Sequence, residues 1–343
     1  MHIAIYLDSR SYGGIETHIQ HLVSGLTSRN IDVSLLLHQR YDADHPLLKQ
    51  LPASISVFNI NGSYTRLLQY LRKQRPVLHC HGYKAAIIGR LAAFWAGTPV
   101  VTTFHNGDPG TGRMAVYNKL DQLTSRLSHN VCVSQRIQQQ LPTRSSYIPN
   151  FIDFPVAKVS HALRHQVAFI GRASYEKGPD LYAEITRGLP YDCALYGSGP
   201  ELNQSLEINP AIKAYGHVDM TAHWDKIRVV VISSRFEGLP LTALEAMARG
   251  IPVIASTAGD LPKLMASTSA ADNLDIGNMA AFRQRIHHWM TCSANEYQNN
   301  GAQLRHYIRQ HHSQSACLPR IIDIYQRLAK HGRAAIPSLE AHH

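Results

Sequence analysis

Residues 229–256 read VVVISSRFEGLPLTALEAMARGIPVIAS, and the fold turns on them. Val229-Val230-Val231-Ile232 is a β-branched run with no polar alternation, the pattern of a strand buried on both faces. Ser233 and Ser234 end it, and a loop of Arg235-Phe236-Glu237-Gly238-Leu239 follows. Pro240 suits the first turn of a helix, where its missing N–H costs nothing. The helical pattern runs through Met247, Gly250 provides a C-terminal stop, and Ile251-Pro252 leads into a second strand at 253–255. Strand, loop, helix and strand in so short a span make a parallel β-α-β unit. Glu237 then lies in the loop at the mouth of the sheet, and Glu245 lies inside the helix.

The same rhythm extends in both directions. Strands are expected at 3–7, 33–37, 77–80, 100–104, 131–134, 167–170, 193–196, 212–215 and 229–232. Helical patterns lie between most of them; residues 85–96, closed by Gly97 and Pro99, are one example. The rhythm pauses at 149–165, where two prolines and a polar stretch read as a linker. The expected architecture is α/β, with two Rossmann-like doubly wound domains facing each other across a cleft. An N-terminal domain is assigned to 1–155, a C-terminal domain to 156–315, and a last helix at 316–330 is expected to pack back on the first domain. A chain of 343 residues has the length for two such cores and little beyond.

Composition narrows the classes. Hydrophobic residues make up 44% and charged residues 17%, which excludes wholesale disorder. No apolar run approaches the ~20 residues of a membrane span. The N-terminal apolar run is short and meets Asp8 at once, so no signal peptide is expected. The five cysteines, Cys80, Cys132, Cys193, Cys292 and Cys317, are scattered and form no C-x-x-C pair, so buried free thiols are expected. The formal charge is +10, which points to an anionic partner. Basic residues interleaved with aromatics are missing, which weighs against nucleic acid.

In parallel sheets ligands sit beyond the carboxyl ends of the strands, so the strand-to-helix loops carry the chemistry. After the strand at 167–170 come Gly171, Arg172, Lys177 and Gly178. Arg offers a planar fork and Lys a point charge for phosphate oxygens. Free amides at the start of the helix behind Gly238-Leu239-Pro240-Leu241 would also favour phosphate. A carboxylate such as Glu237 or Glu245 would repel phosphate but accept hydrogen bonds from a sugar diol. Taken without further context, the two glutamates read more readily as a solvated loop residue and a helix-face charge. Gly197 and Gly199, in Tyr196-Gly-Ser-Gly-Pro-Glu201, and Gly13-Gly14 after the first strand allow close backbone approach. His105 follows the strand at 100–104. Asp42-Ala43-Asp44 has the form of a D-x-D metal motif, but no strand leads into it, and no metal site is expected there.

Glu237 and Glu245, separated by seven residues and followed by Ala-Met-Ala-Arg-Gly-Ile-Pro-Val, resemble the E-x7-E signature of retaining GT-B glycosyltransferases of the GT4 type. Gly171-Arg172 with Lys177-Gly178, Tyr12-Gly13-Gly14-Ile15-Glu16, Phe104-His105, and Ile148-Pro149-Asn150 with Ile152-Asp153 match that family in order and spacing. So does the segment from Gly197 to Glu201. Phe151 departs from the pattern, since the family commonly has glycine there.

The resemblance implies a nucleotide-sugar donor as co-substrate, UDP-linked on family frequency, and neither cofactor nor metal. It implies that Arg172 and Lys177 hold the diphosphate, aided by the amides of Gly238, Leu239, Pro240 and Leu241 as far as each has one. Glu245 would hold ribose and Glu237 the donor sugar. Gly13, Gly14, Gly197 and Gly199 would lie near the donor, and His105 near its sugar. His105, Glu237, Arg172 and Lys177 form the implied catalytic set. Lys84, Arg113 and Lys119 are the acceptor candidates. The implied role is transfer to a saccharide or lipid-linked acceptor of a bacterial surface glycan, in the cytoplasm and compatible with the inner face of an anionic membrane. The competing readings are a sugar-nucleotide epimerase of the same fold and a non-catalytic binder of anionic ligands.

Overall fold

In the computed structural model, alternate residues of the first strand enter two different cores. The structure describes residues 1–10, 12–41, 45–105, 112–155, 164–266, 268 and 272–331. Ile3, Ile5 and Leu7 join one buried cluster, while Ala4 and Tyr6 join another on the opposite face. That two-sided burial follows from the period of two along a strand and explains the absence of polar alternation.

The chain divides into two units, Met1–Asp153 with Gln314–His343, and Phe154–Ser313. The first unit has β1 (His2–Leu7), β2 (Asp32–Leu37), β3 (Ser56–Asn59), β4 (Val77–His81), β5 (Val100–Phe104), β6 (His129–Cys132) and β7 (Ser145–Tyr147). All pair in parallel, in the order β3-β2-β1-β4-β5-β6-β7. Its helices are α1 (Gly14–Thr27), α2 (Tyr64–Gln74), α3 (Tyr83–Ala96), α4 (Arg113–Thr124) and α5 (Gln135–Gln140). The second unit has β8 (Gln166–Ile170), β9 (Asp192–Tyr196), β10 (Lys213–Gly216), β11 (Ile227–Ile232), β12 (Val253–Ser256) and β13 (Asp272–Leu274), also parallel, in the order β10-β9-β8-β11-β12-β13. It carries α6 (Pro179–Thr186), α7 (Leu202–Ile208), α8 (Leu241–Ala248), α9 (Leu261–Ala266), α10 (Met279–Thr291) and α11 (Ala294–His311). The last helix, α12 (Gln314–His331), returns to the first unit, where Leu318, Ile321, Ile324 and Tyr325 enter the core beside α1.

Both units are Rossmann-like, and strand order reverses at β1/β4 in the first and at β8/β11 in the second. The boundary falls just before the expected 155/156, and α12 begins two residues before the expected 316. The strand expected at 131–134 ends at Cys132, because Ser134 caps α5 by accepting a hydrogen bond from the Ile137 amide. The five cysteines are free, four buried and Cys292 half-buried. Burial pushes the Cys80 thiol up to about 12 and the Cys132 thiol up to about 11.

Phe151, which stands where the related family has glycine, is fully buried in the core of the first unit. Its ring meets that of His18 edge-on at 5.4 Å. A second buried anchor is Arg90 on α3. Its Nη1 donates to Asp121 Oδ1 and to the Asp121 carbonyl, each at 2.7 Å, and its Nε to Thr102 and Ser128. Arg90 thereby ties α3 to α4. Removing one partner of a buried ion pair leaves the other charge uncompensated. Arg90→Met is therefore expected to cost about 3 to 5 kcal/mol in chemical denaturation of the first unit. A loss below about 1 kcal/mol would contradict the anchoring role.

Candidate functional site

In the second unit the loops after β8, β9 and β11 meet at the carboxyl edge of the sheet, where strand order reverses. Ion pairs join the loops after β8 and β11. Lys177 Nζ donates to Glu237 Oε1 at 2.7 Å, and Ser234 Oγ donates to the same oxygen at 2.7 Å. The Glu237 side chain is buried, while that of Lys177 is partly exposed. Arg172 Nη2 reaches Glu176 Oε1 at 2.5 Å and is largely exposed. Both predicted phosphate-binding cations are thus held by carboxylates, Arg172 by one of its own loop and Lys177 by one of the loop after β11.

A second clamp sets their backbone. Arg235 grips Asp180 through two nitrogens at 2.9 and 2.6 Å, and also donates to the Tyr175 carbonyl. The hydrogen bond from Arg235 holds the Asp180 carboxyl below its ordinary range. Ser233 Oγ donates to the Gly178 carbonyl, and a Cβ on Gly178 would meet the Ser233 carbonyl oxygen at 2.2 Å. Arg235 and Asp180 did not stand out in sequence, because a charge pair 55 residues apart carries no spacing signal.

The glycine-rich turn after β9 packs closely against a neighbouring loop. A Cβ on Gly197 would meet the Gly171 carbonyl oxygen at 1.8 Å, and one on Gly199 the Ala173 carbonyl oxygen at 2.2 Å. These glycines let the β9 turn lie against the backbone of the loop carrying Arg172, and the Ala173 amide donates to the Ser198 carbonyl. Pro240 caps α8, which starts at Leu241, and Glu245 lies half-buried within that helix. Gly250, in the left-handed region at φ 67°, follows its end.

In the first unit the carboxyl edge at β1/β4 carries Gly13, Gly14, Asp8 and Lys84. Gly13 caps α1, and its amide donates to Glu16 Oε2 at 2.8 Å. A Cβ on Gly14 would meet no atom within 4 Å, so open space lies beside it. Lys84 Nζ lies 2.6 Å from Asp8 Oδ2, and Tyr41 donates to the other oxygen of that carboxylate. A cavity of about 160 Å³ opens beside them, lined by Ser9, Glu16 and Tyr83 among others. Lys119 stands exposed midway along α4, away from this edge. The Arg113 side chain and the Asp42-Ala43-Asp44 motif lie outside the described residues.

His105 belongs to a cluster. His105 Nε2 lies 3.0 Å from His81 Nδ1. His18 stacks edge-on against His105, with ring centroids 4.7 Å apart, and bonds Asn150 Oδ1 through Nδ1 at 3.0 Å. Because that oxygen only accepts, the His18 proton sits on Nδ1 and Nε2 is left as a lone pair. Among the described residues, His18, His81 and His105 are the group that could gather on a metal ion, with one nitrogen of each within 4.8 Å of the others. His79 sits behind them, held by Tyr325 and Thr103. Only His105 had been singled out in sequence. Two of the others, His79 and His81, carried a signal, standing two apart on one strand and so on one face.

Burial drives all four imidazoles towards the neutral form: His79, His81 and His105 fall well below their ordinary range and His18 to about 3.

Residues 12–154 match the family model described as Glycosyltransferase Family 4, and residues 164–291 match Glycosyl transferases group 1. The chain belongs to the GT4-type glycosyltransferases. This glycosyltransferase is 23% identical to a D-inositol 3-phosphate glycosyltransferase of Mycobacterium marinum, over 73% of its own length and 67% of the relative's. It is 29% identical to a UDP-Gal:alpha-D-GlcNAc-diphosphoundecaprenol alpha-1,3-galactosyltransferase of Escherichia coli, over 59% of its own length and 63% of the relative's. Among solved structures it is similar to Anabaena HepE in complex with UDP-glucose, with a TM-score of 0.80 at 17% identity, covering 95% of this chain and 99% of the other. That likeness places the glycosyltransferase in the GT-B fold class.

The histidine cluster makes a stability prediction for the glycosyltransferase. A pKa lowered by folding contributes stability that is fully present above the unfolded value, 6.5, and lost as pH falls towards the folded value. For His18 alone the loss at pH 5 is about 2 kcal/mol. Urea unfolding at pH 8 and pH 5 should show at least that difference; equal free energies would contradict neutral burial.

Proposed function

We propose that this glycosyltransferase moves a hexosyl group from a UDP-sugar to a saccharide or lipid-linked acceptor in bacterial surface glycan synthesis. Lipopolysaccharide, capsule and exopolysaccharide are the candidate products. Transfer proceeds with retention of anomeric configuration and without a metal. The observation that carries this reading is the cluster of Lys177, Ser234 and Glu237 at the β8/β11 switch point, with Arg172 on the adjoining loop. The relatives support it further: the Escherichia coli enzyme is named for a UDP-galactose donor and an undecaprenol-linked acceptor, and HepE is described with UDP-glucose.

In the resting site Lys177 and Arg172 are neutralised by Glu237 and Glu176. An arriving diphosphate offers both cations a stronger anion. Lys177 and Arg172 turn to phosphate oxygens, joined by amides at the start of α8. Glu237 keeps the Ser234 hydroxyl and accepts hydrogen bonds from donor-sugar hydroxyls in place of Lys177. Glu245 holds the ribose diol. As the glycosidic bond to phosphate breaks, negative charge grows on the leaving diphosphate, and preorganised cations lower that barrier. For the first unit, the family resemblance assigns His105 to the donor sugar and Gly14 to the diphosphate; burial keeps the His105 ring neutral, and open space lies beside Gly14. Glu237 and Glu245 serve as hydrogen-bond acceptors, not as the acid and base of a glycoside hydrolase.

A thermal-shift panel of UDP, GDP, ADP and their sugars tests the donor. The true donor at 100 times its Kd should stabilise by about 2.7 kcal/mol. With that donor, Arg172→Ala and Lys177→Ala are each expected to lower turnover about 100-fold or more, and Glu245→Ala to weaken donor binding. Wild-type turnover in all three would overturn the assignment. EDTA should leave activity intact; loss on chelation with recovery on Mn²⁺ would overturn metal independence.

A further inference from the structure

The charge of +10 is concentrated in one stretch. Between Asp44 and Asp153 stand twelve Lys or Arg and two acidic residues, Asp108 and Asp121; the rest of the chain balances at twenty-two of each sign. Asp121 is buried against Arg90, and Asp108 lies outside the described residues. α2, α3 and α4 occupy this stretch, with α3 packed against both of the others.

Their outer surface is apolar as well as basic. On α4, Val116, Leu120 and Leu123 follow one another at i, i+4 and i+7 and form a single stripe, with Val116 58% and Leu123 62% exposed. On α3, Phe94 and Trp95 stand edge to face at 5.7 Å, with Trp95 65% exposed. Tyr83 and Tyr117 bring α3 and α4 together, with ring centroids 5.3 Å apart. Exposed cations border these side chains. Arg72 on α2 reaches the Trp95 carbonyl at 3.4 Å, Lys73 and Arg75 follow it, and Lys119 lies within α4. No exposed carboxylate occurs on the three helices among the described residues.

We propose that this face docks on the surface of an anionic lipid bilayer. Aliphatic and indole side chains enter the boundary between headgroups and acyl chains, where an amphipathic ring is at home, and the surrounding cations meet anionic headgroups. Charge chooses this occupant over a second copy of the chain, whose identical basic face would be repelled. No helix among the described residues is long and apolar enough to cross a membrane, so the contact is peripheral. The proposal builds on the membrane-side reading of the acceptor, yet its test needs no acceptor.

The full chain is sedimented with vesicles of phosphatidylcholine, with and without phosphatidylglycerol. Tight binding to anionic vesicles, at least about tenfold weaker binding to neutral ones and weakening by salt are expected. Trp95→Ser with Leu123→Ser should abolish most of the binding, and Arg72→Gln or Lys73→Gln should each weaken it about fivefold. The nucleotide thermal shift should stay at the wild-type value in every variant, which separates this proposal from the donor assignment. Equal binding to both vesicle types, or anionic binding that survives Trp95→Ser with Leu123→Ser, would overturn it. So would a concentration-dependent dimer abolished by the same double substitution, since a second copy would then cover the face.

Discussion

Parallel strands cannot be joined by hairpins, and this constraint shapes everything that follows in the molecule. Each strand must be followed by a crossover helix, so every loop leaving a carboxyl end points to the same edge of its sheet. Where strand order reverses, at β1/β4 and β8/β11, adjacent loops diverge to opposite faces and leave the edge between them open. Lys177 and Glu237 meet at such a place, sixty residues apart in sequence. Gly14, Lys84 and the histidine cluster occupy the corresponding edges of the first unit.

The open edge of the second unit is charged but balanced. Lys177, Arg172 and Arg235 are each matched by a carboxylate, Arg172 within its own loop and the other two across to the neighbouring one. These pairs differ in kind. Arg235 and Asp180 are both mostly buried and join the loops, whereas Arg172 is exposed and its pair with Glu176 is worth little in water. The arrangement keeps cations in place without leaving a buried charge uncompensated. A diphosphate carries more negative charge than either carboxylate, and it can take over their hydrogen bonds without the loops being rebuilt.

Much of this was legible in the sequence, because buried parallel strands write themselves as uninterrupted β-branched runs. Ten strands could be read, the nine interior ones and the edge strand β10, whereas β3, β7 and β13 could not. These last are short edge strands, in which polar residues such as Ser145 and Ser146 leave no hydrophobic period to read. Glu237, Arg172 and Lys177 stood out through their places after strands. The histidine cluster did not, because its members come from α1, β4 and the end of β5. Gly197 and Gly199 were visible as glycines, but their partner, the Gly171–Ala173 backbone, was not. Phe151 shows the opposite limit: a departure from a family pattern that the sequence exposed and only the core explains.

The central claim is that Arg172 and Lys177 turn from their carboxylates to a donor diphosphate. Calorimetric titration of UDP and of uridine against wild type and an Arg172→Met, Lys177→Met double variant tests it most directly. The account predicts that UDP binds wild type far more tightly than uridine, and that the double variant erases that difference while leaving uridine affinity in place. A double variant that still prefers UDP over uridine by the wild-type factor would contradict it.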